Sequence, residues 1–313
     1  MTTSTRPGRE REQGQILVVF ALALVAILAT VGLVLDGGSA FHQRREEQNA
    51  ADLAALAGAN DYLLNSNVTT ATATAKAVAA QNGFTDGVDG TTVTVTITTT
   101  NGARVKVDVA AAHLNTFSRV VGMNSWQVST TATALTGFPD TAYGAGPAIF
   151  SIRAFATDGE PLSQFGNPNS PFDFGETNGD VPTSASDLAW TNYGTGNVNS
   201  DEVRDIIQGD LVINKTLQFG EYIGQHNNGN HTTLFTAVDD YLSGQDLPVP
   251  VVDDAGNFQG WATFHVVSAS GGSAKHIRGY FVSPFLNAKL TVGECTGGTC
   301  PRFLGSYTLK LVE

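Results

Sequence analysis

The hydropathy pattern divides the chain into segments of different period. Residues 16–35 form an unbroken apolar run, with Thr30 and Gly32 the only departures and no charge. As a helix at about 1.5 Å per residue the run is roughly 30 Å long, the thickness of a bilayer's hydrocarbon core. A lone segment in lipid must satisfy its own backbone, so the pattern predicts a single membrane-spanning helix. Residues 40–64 are rich in helix formers and carry small residues four apart: Ala50, Ala54 and Gly58 on one stripe, Ala51, Ala55 and Ala59 on the next. Such stripes permit close helix approach, and these six residues are the candidate helix-packing interface. Packing within the protein's own domain and packing on a neighbouring helix both remain open.

Further on, the pattern predicts a helix over residues 71–83, stopped by Gly83. The period then falls to two. Val93, Val95 and Ile97 alternate with threonines, the Asn101-Gly102 turn follows, and Val105, Val107 and Val109 alternate again. A short helix is expected over 113–122, with Leu114, Phe117, Val120 and Val121 inward, and a third strand over 126–135. Turn formers at 137–147 mark a boundary. Beyond it, residues 157–200 read as mostly irregular, two short helices as 200–209 (capped by Ser200) and 231–244, and strands as 247–253, 258–270, 276–286 and 307–312. The expected fold class is α+β: a transmembrane helix continuing into a long helix, a small pilin-like α/β unit, then a β-rich C-terminal domain with two short helices. The expected organisation is a cytoplasmic tail (1–15), the span (16–35), a helix with a small antiparallel sheet (36–137) and an extracytoplasmic domain (138–313).

Charge refines this picture. Residues 1–137 hold 9 Lys/Arg and 10 Asp/Glu, while residues 138–313 hold 8 and 19, a net charge of −11. An acidic distal half excludes nucleic acid as a partner, because binding a polyphosphate requires a basic patch. Arg6, Arg9 and Arg11 precede the run, and beyond it Asp36, Glu46 and Glu47 offset Arg44 and Arg45, so the positive-inside rule places the N-terminus in the cytoplasm. Cleavage after the small residues Gly38 and Ala40 is the alternative; against it, the run exceeds the core of a secretory signal.

An ordered set of features gives the N-terminal region a family likeness. Gly14-Gln15 leads into the apolar run with Phe20-Ala21-Leu22, then Asp36-Gly37-Gly38, Arg44-Arg45 and residues 48–57, Gln-Asn-Ala-Ala-Asp-Leu-Ala-Ala-Leu-Ala. Residues 14–60 thereby resemble the TadE/TadG-like proteins of tight-adherence (Flp, type IVc) pilus systems. The resemblance implies a bitopic pilus-assembly protein or pseudopilin with a globular part outside the membrane. Its implied partners are the bilayer and other pilus-assembly proteins. Prepilin-type segments commonly carry Glu five positions after the processing glycine; here Val19 stands there, which favours a permanent anchor.

No motif argues for catalysis. There is no G-x-S-x-G elbow, P-loop, dinucleotide turn or H-E-x-x-H, so no catalytic residue, cofactor or metal site is assigned. Asp253-Asp254 lacks the spacing of a calcium loop and fits a turn, and Asp239-Asp240 fits a solvated helix face. His226, His231, His265 and His276 are scattered, with His265 inside a strand. Cys295 and Cys300 flank a glycine-rich loop suited to a local disulfide. Phe172, Phe174, Trp190, Tyr193 and Trp261 suit either core packing or a ligand platform. The expectation is a non-enzymatic, membrane-anchored pilus component. Two alternatives stand beside it: an anchored adhesin independent of a pilus, and a tethered hydrolase.

Overall fold

The computed structural model describes residues 12–99, 102–177, 181–194, 198–223, 231–292 and 301–312. The apolar run and the small-residue segment form one uninterrupted helix, α1 (Glu12–Asn65). Gly37 and Gly38 do not break it; each costs about 1 kcal/mol against alanine, but both face open space and crowd nothing. Helix α2 (Val68–Gln81) folds back on α1. Asn67 caps it, its Oδ1 accepting from the N–H of Thr69 and Thr70.

Strands β1 (Thr92–Thr98), β2 (Ala103–Leu114) and β3 (Ser125–Gly137) make an antiparallel meander against α1. The register sets Val93 opposite Val109, Val95 opposite Val107 and Ile97 opposite Val105, so the alternation puts valines on the helix-facing side. Gly102 adopts a φ of 75°, and a Cβ there would meet the Thr136 carbonyl oxygen, so the turn admits only glycine. Asn101 and the termini of the chain, residues 1–11 of the expected tail (1–15) among them, lie outside the described residues, and residues 12–15 of that tail are helical.

The distal half builds a closed six-stranded barrel from β5 (Ala148–Ser151), β6 (Phe172–Glu176), β7 (Asp187–Trp190), β9 (Asp246–Val252), β10 (Phe258–Ser270) and β11 (His276–Phe281). Its interior is a phenylalanine cluster: Phe150, Phe174, Phe264 and Phe281, with ring centroids 4.7–5.6 Å apart. Helices α3 (Ser200–Gln208) and α4 (Thr232–Leu242) cover the same core through Val203, Ile207, Leu234 and Phe235. A small sheet of β4 (Thr141–Tyr143), β8 (Asn214–Thr216) and β13 (Leu290–Thr291) packs over Trp261. After β12 (Phe285–Leu286), the last strand, β14 (Ser306–Val312), pairs antiparallel with β3.

The fold is therefore mixed α+β, with the long N-terminal helix, the small sheet and a β-rich distal region carrying two short helices. Three local expectations change. The cap of α3 is Asn199, whose Oδ1 accepts from the Asp201 N–H, with Ser200 the first helical residue. Residues 157–200 contain two barrel strands, β6 and β7, which pair parallel with each other and antiparallel with β11 and β5 respectively. Residues 113–122 are no inward-facing helix: β2 runs on to Leu114, a 3-10 turn follows at Ser118–Val121, and Leu114, Phe117 and Val120 are exposed.

Candidate functional site

Helix α1 has two halves with opposite surroundings. Over residues 15–35 only Gly32 is buried; every apolar side chain of the run is exposed. The bare apolar side chains of residues 16–35 form a surface far beyond what a monomer leaves in water. Over residues 50–59 the helix is covered. Ala50, Ala51, Ala54, Ala55 and Ala59 have no exposed surface, and Gly58 is buried with them. A Cβ at Gly58 would lie 3.1 Å from Ala75 Cβ, 3.1 Å from Val105 Cγ1 and 3.2 Å from the Ala71 carbonyl oxygen. Both small-residue stripes thus pack on α2 and on the valine face of the sheet. A helix from another protein would have to approach α1 on its remaining surface.

The halves meet at Asp36, which is buried. Its Oδ1 accepts from the N–H of Thr116 at 2.9 Å and of Phe117 at 3.2 Å. Its Oδ2 accepts from the N–H of Phe117 at 3.1 Å and of Ser118 at 2.6 Å. The β2–β3 hairpin therefore runs along α1 and ends in a clamp at the top of the apolar run. Burial raises the Asp36 carboxyl, but the hydrogen bonds of Ser118, Thr116 and Phe117 outweigh it and bring the pKa from 3.8 to about 2. One turn below, Gly32 touches Phe117: a Cβ at residue 32 would come within 2.6 Å of Phe117 Cβ.

Above the clamp runs a polar chain. His113 Nδ1–H donates to Gln43 Oε1 at 2.8 Å, and Gln43 Nε2 donates to Glu47 Oε1 at 2.9 Å. Glu47 is fully buried and its Oε2 has no hydrogen-bond partner among the described residues. Desolvation raises its pKa, with Gln43 and Arg44 opposing the shift. Beside this chain an open cleft of about 410 Å³ is lined by Gly37, Ala40, Phe41 and Arg44 of α1 and by residues 126–129 of β3.

The remaining expected groups are dispersed. Trp190, Trp261, Phe174 and Tyr193 are buried in two separate cores, so they form no exposed platform. Asp253 accepts from the N–H of Ala255 and Asn257 within its turn, and Asp254 pairs with Arg153. Asp239 and Asp240 stay on the exposed face expected of them, and Asp239 also accepts from the Ala269 N–H at 2.8 Å. His231 pairs with Glu176, His265 with Asp246, and His276 lies near Asp173. Among the described residues no three His, Cys, Asp or Glu side chains converge on a metal position. The expected Cys295–Cys300 disulfide and His226 lie outside the described residues.

The residues sequence reasoning missed are Asp36, Gln43, Glu47 and His113. The available signal was position: a lone acid ending an apolar run, and a charged residue one turn before an alanine stripe.

The family comparison falls on this same segment. Residues 14–61 match the model of the putative Flp pilus-assembly TadE/G-like family. The matched TadE/G-like segment covers the bare half of α1, the Asp36 junction and both small-residue stripes. Its helix is the one described element long and apolar enough to cross a membrane. No curated protein and no solved structure matches the chain.

Proposed function

We propose that the protein is a non-enzymatic, membrane-anchored component of a Flp pilus-assembly system. Residues 16–35 cross the bilayer once, residues 1–15 face the cytoplasm, and the sheet and barrel stand outside the membrane. The observation that carries this reading is the coincidence of the TadE/G-like match with a helix whose first half is bare and apolar and whose second half is built into a folded domain. Three arginines ahead of the run support the orientation. Other pilus-assembly proteins are the expected partners, reached through surfaces of α1 and the outer domain that the core leaves free.

Deletion and complementation test the reading. Cells lacking the protein should lose assembled Flp pili, the full chain should restore them, and a chain carrying Leu24→Arg and Ile27→Arg should not. Two arginines at the centre of the span each oppose insertion by about 3 kcal/mol. Normal piliation without the protein contradicts the assignment.

A further inference from the structure

The tip of the β2–β3 hairpin carries the wrong side chains for a loop in water. Tight turns favour Gly, Asn, Asp and Ser, yet residues 114–123 present Leu114, Phe117, Val120 and Met123 at 73%, 48%, 87% and 48% exposure. The tip is also held in place. Asp36 grips the N–H groups of residues 116–118, Asn115 Nδ2 donates to the Met123 carbonyl at 2.9 Å, and Asn115 N–H donates to the Asn124 carbonyl at 3.0 Å. Phe117 rests on Gly32, three residues inside the outer end of the apolar run, or about 5 Å down the helix axis. The exposed apolar surface of α1 is therefore continuous with that of the tip. Around it stand Arg119 and Phe41, both exposed, and the half-buried Trp126, residue types suited to the headgroup layer.

We propose that the hairpin tip at residues 114–123 is a second membrane contact, seated in the outer leaflet of the bilayer that α1 spans. Its occupant is lipid: acyl chains and glycerol against Leu114, Phe117, Val120 and Met123, headgroups against Arg119. This inference rests on the membrane-spanning reading of residues 16–35. Its consequence is orientational. A helix alone leaves the outer domain free to tilt and spin, whereas a helix with a docked hairpin fixes which face of the domain is turned toward neighbouring subunits.

The test uses the full chain in phosphatidylcholine–phosphatidylglycerol vesicles, with lipids brominated either near the carbonyl or deep in the chain. Val120→Trp reports the tip and Val25→Trp reports the span. Trp190 and Trp261 are fully buried and out of reach of both quenchers, so the unsubstituted chain supplies the background, whose quenchable part comes from Trp126. The proposal expects Val120→Trp emission to fall by about half with shallow bromine and less with deep, as for a side chain 5–10 Å into the interface. Val25→Trp should show the opposite preference. A quenched Val25→Trp with a Val120→Trp that bromine spares and aqueous acrylamide quenches puts the tip in water and overturns the inference alone. A Val120→Trp shielded from both quenchers places protein over the tip and overturns it too. A Val25→Trp that neither lipid quenches removes the span itself, and the tip contact falls with it.

Discussion

At the scale of single residues, Asp36 and Glu47 are two buried carboxylates with opposite character. Asp36 is satisfied by the backbone N–H groups of three consecutive residues and stays ionised. Asp36→Ala should free the tip, and amide exchange at Thr116, Phe117 and Ser118 should speed up by roughly tenfold or more; unchanged exchange would show that packing on Gly32 alone holds the loop. Since its folded pKa is lowered from 3.8 to about 2, the clamp's contribution is complete above pH 3.8 and disappears as pH falls through about 2. Glu47 carries the contrary sign. A raised folded pKa means that its contribution to stability declines as pH rises above the ordinary carboxyl range. Glu47→Gln keeps the acceptor for Gln43 and removes the titrating group, so the decline in stability with rising pH should be smaller in the variant, measured by denaturant unfolding in detergent from acid to neutral pH. An unchanged decline would mean that another group causes it. Neither role was legible in the sequence, because Asp36 and the N–H groups that donate to it are 80–82 residues apart and joined only by tertiary structure.

Whole elements were far more legible. The run at 16–35, the alanine stripes and the valine alternation of β1 and β2 each obey one period, and each appears where the period puts it. What the sequence left open was the partner of the stripes, since small residues suit any close neighbour; here the neighbours are α2 and the sheet. Gly58→Leu should therefore strain the protein's own core, where even a Cβ is tight on three sides, and destabilise the fold by about 2 kcal/mol. A variant that melts normally yet loses pilus partners would instead make Gly58 an intermolecular contact. Among the strands that escaped reading, β6 and β7 are short and sit among turn residues, and they pair with each other and with β11 and β5. Likewise, the apolar residues of 113–122 mimic a buried helical face because a lipid-facing tip and a core-facing turn use the same side chains.

On the scale of the whole molecule, the C-terminal strand ties the halves together. β14 pairs with β3 on one side and with β12 on the other, and Ser306 Oγ lies 2.8 Å from Thr263 Oγ1 of the barrel strand β10, both buried. Removing residues 306–312 should bare the β3 edge and loosen both sheets, seen as rapid limited proteolysis and aggregation; a truncated chain as resistant as the full one would show that the halves stand independently. The TadE/G-like likeness covers only the apolar half of α1 and its first packing layer, so the proposed function rests on that segment, and display of the barrel belongs to that proposal. Everything depends on residues 16–35 being held in lipid. Alkaline carbonate extraction of membranes from cells making the full chain tests this most directly. The protein should stay in the membrane pellet and enter solution only with detergent, whereas release into the supernatant by carbonate alone would contradict the account.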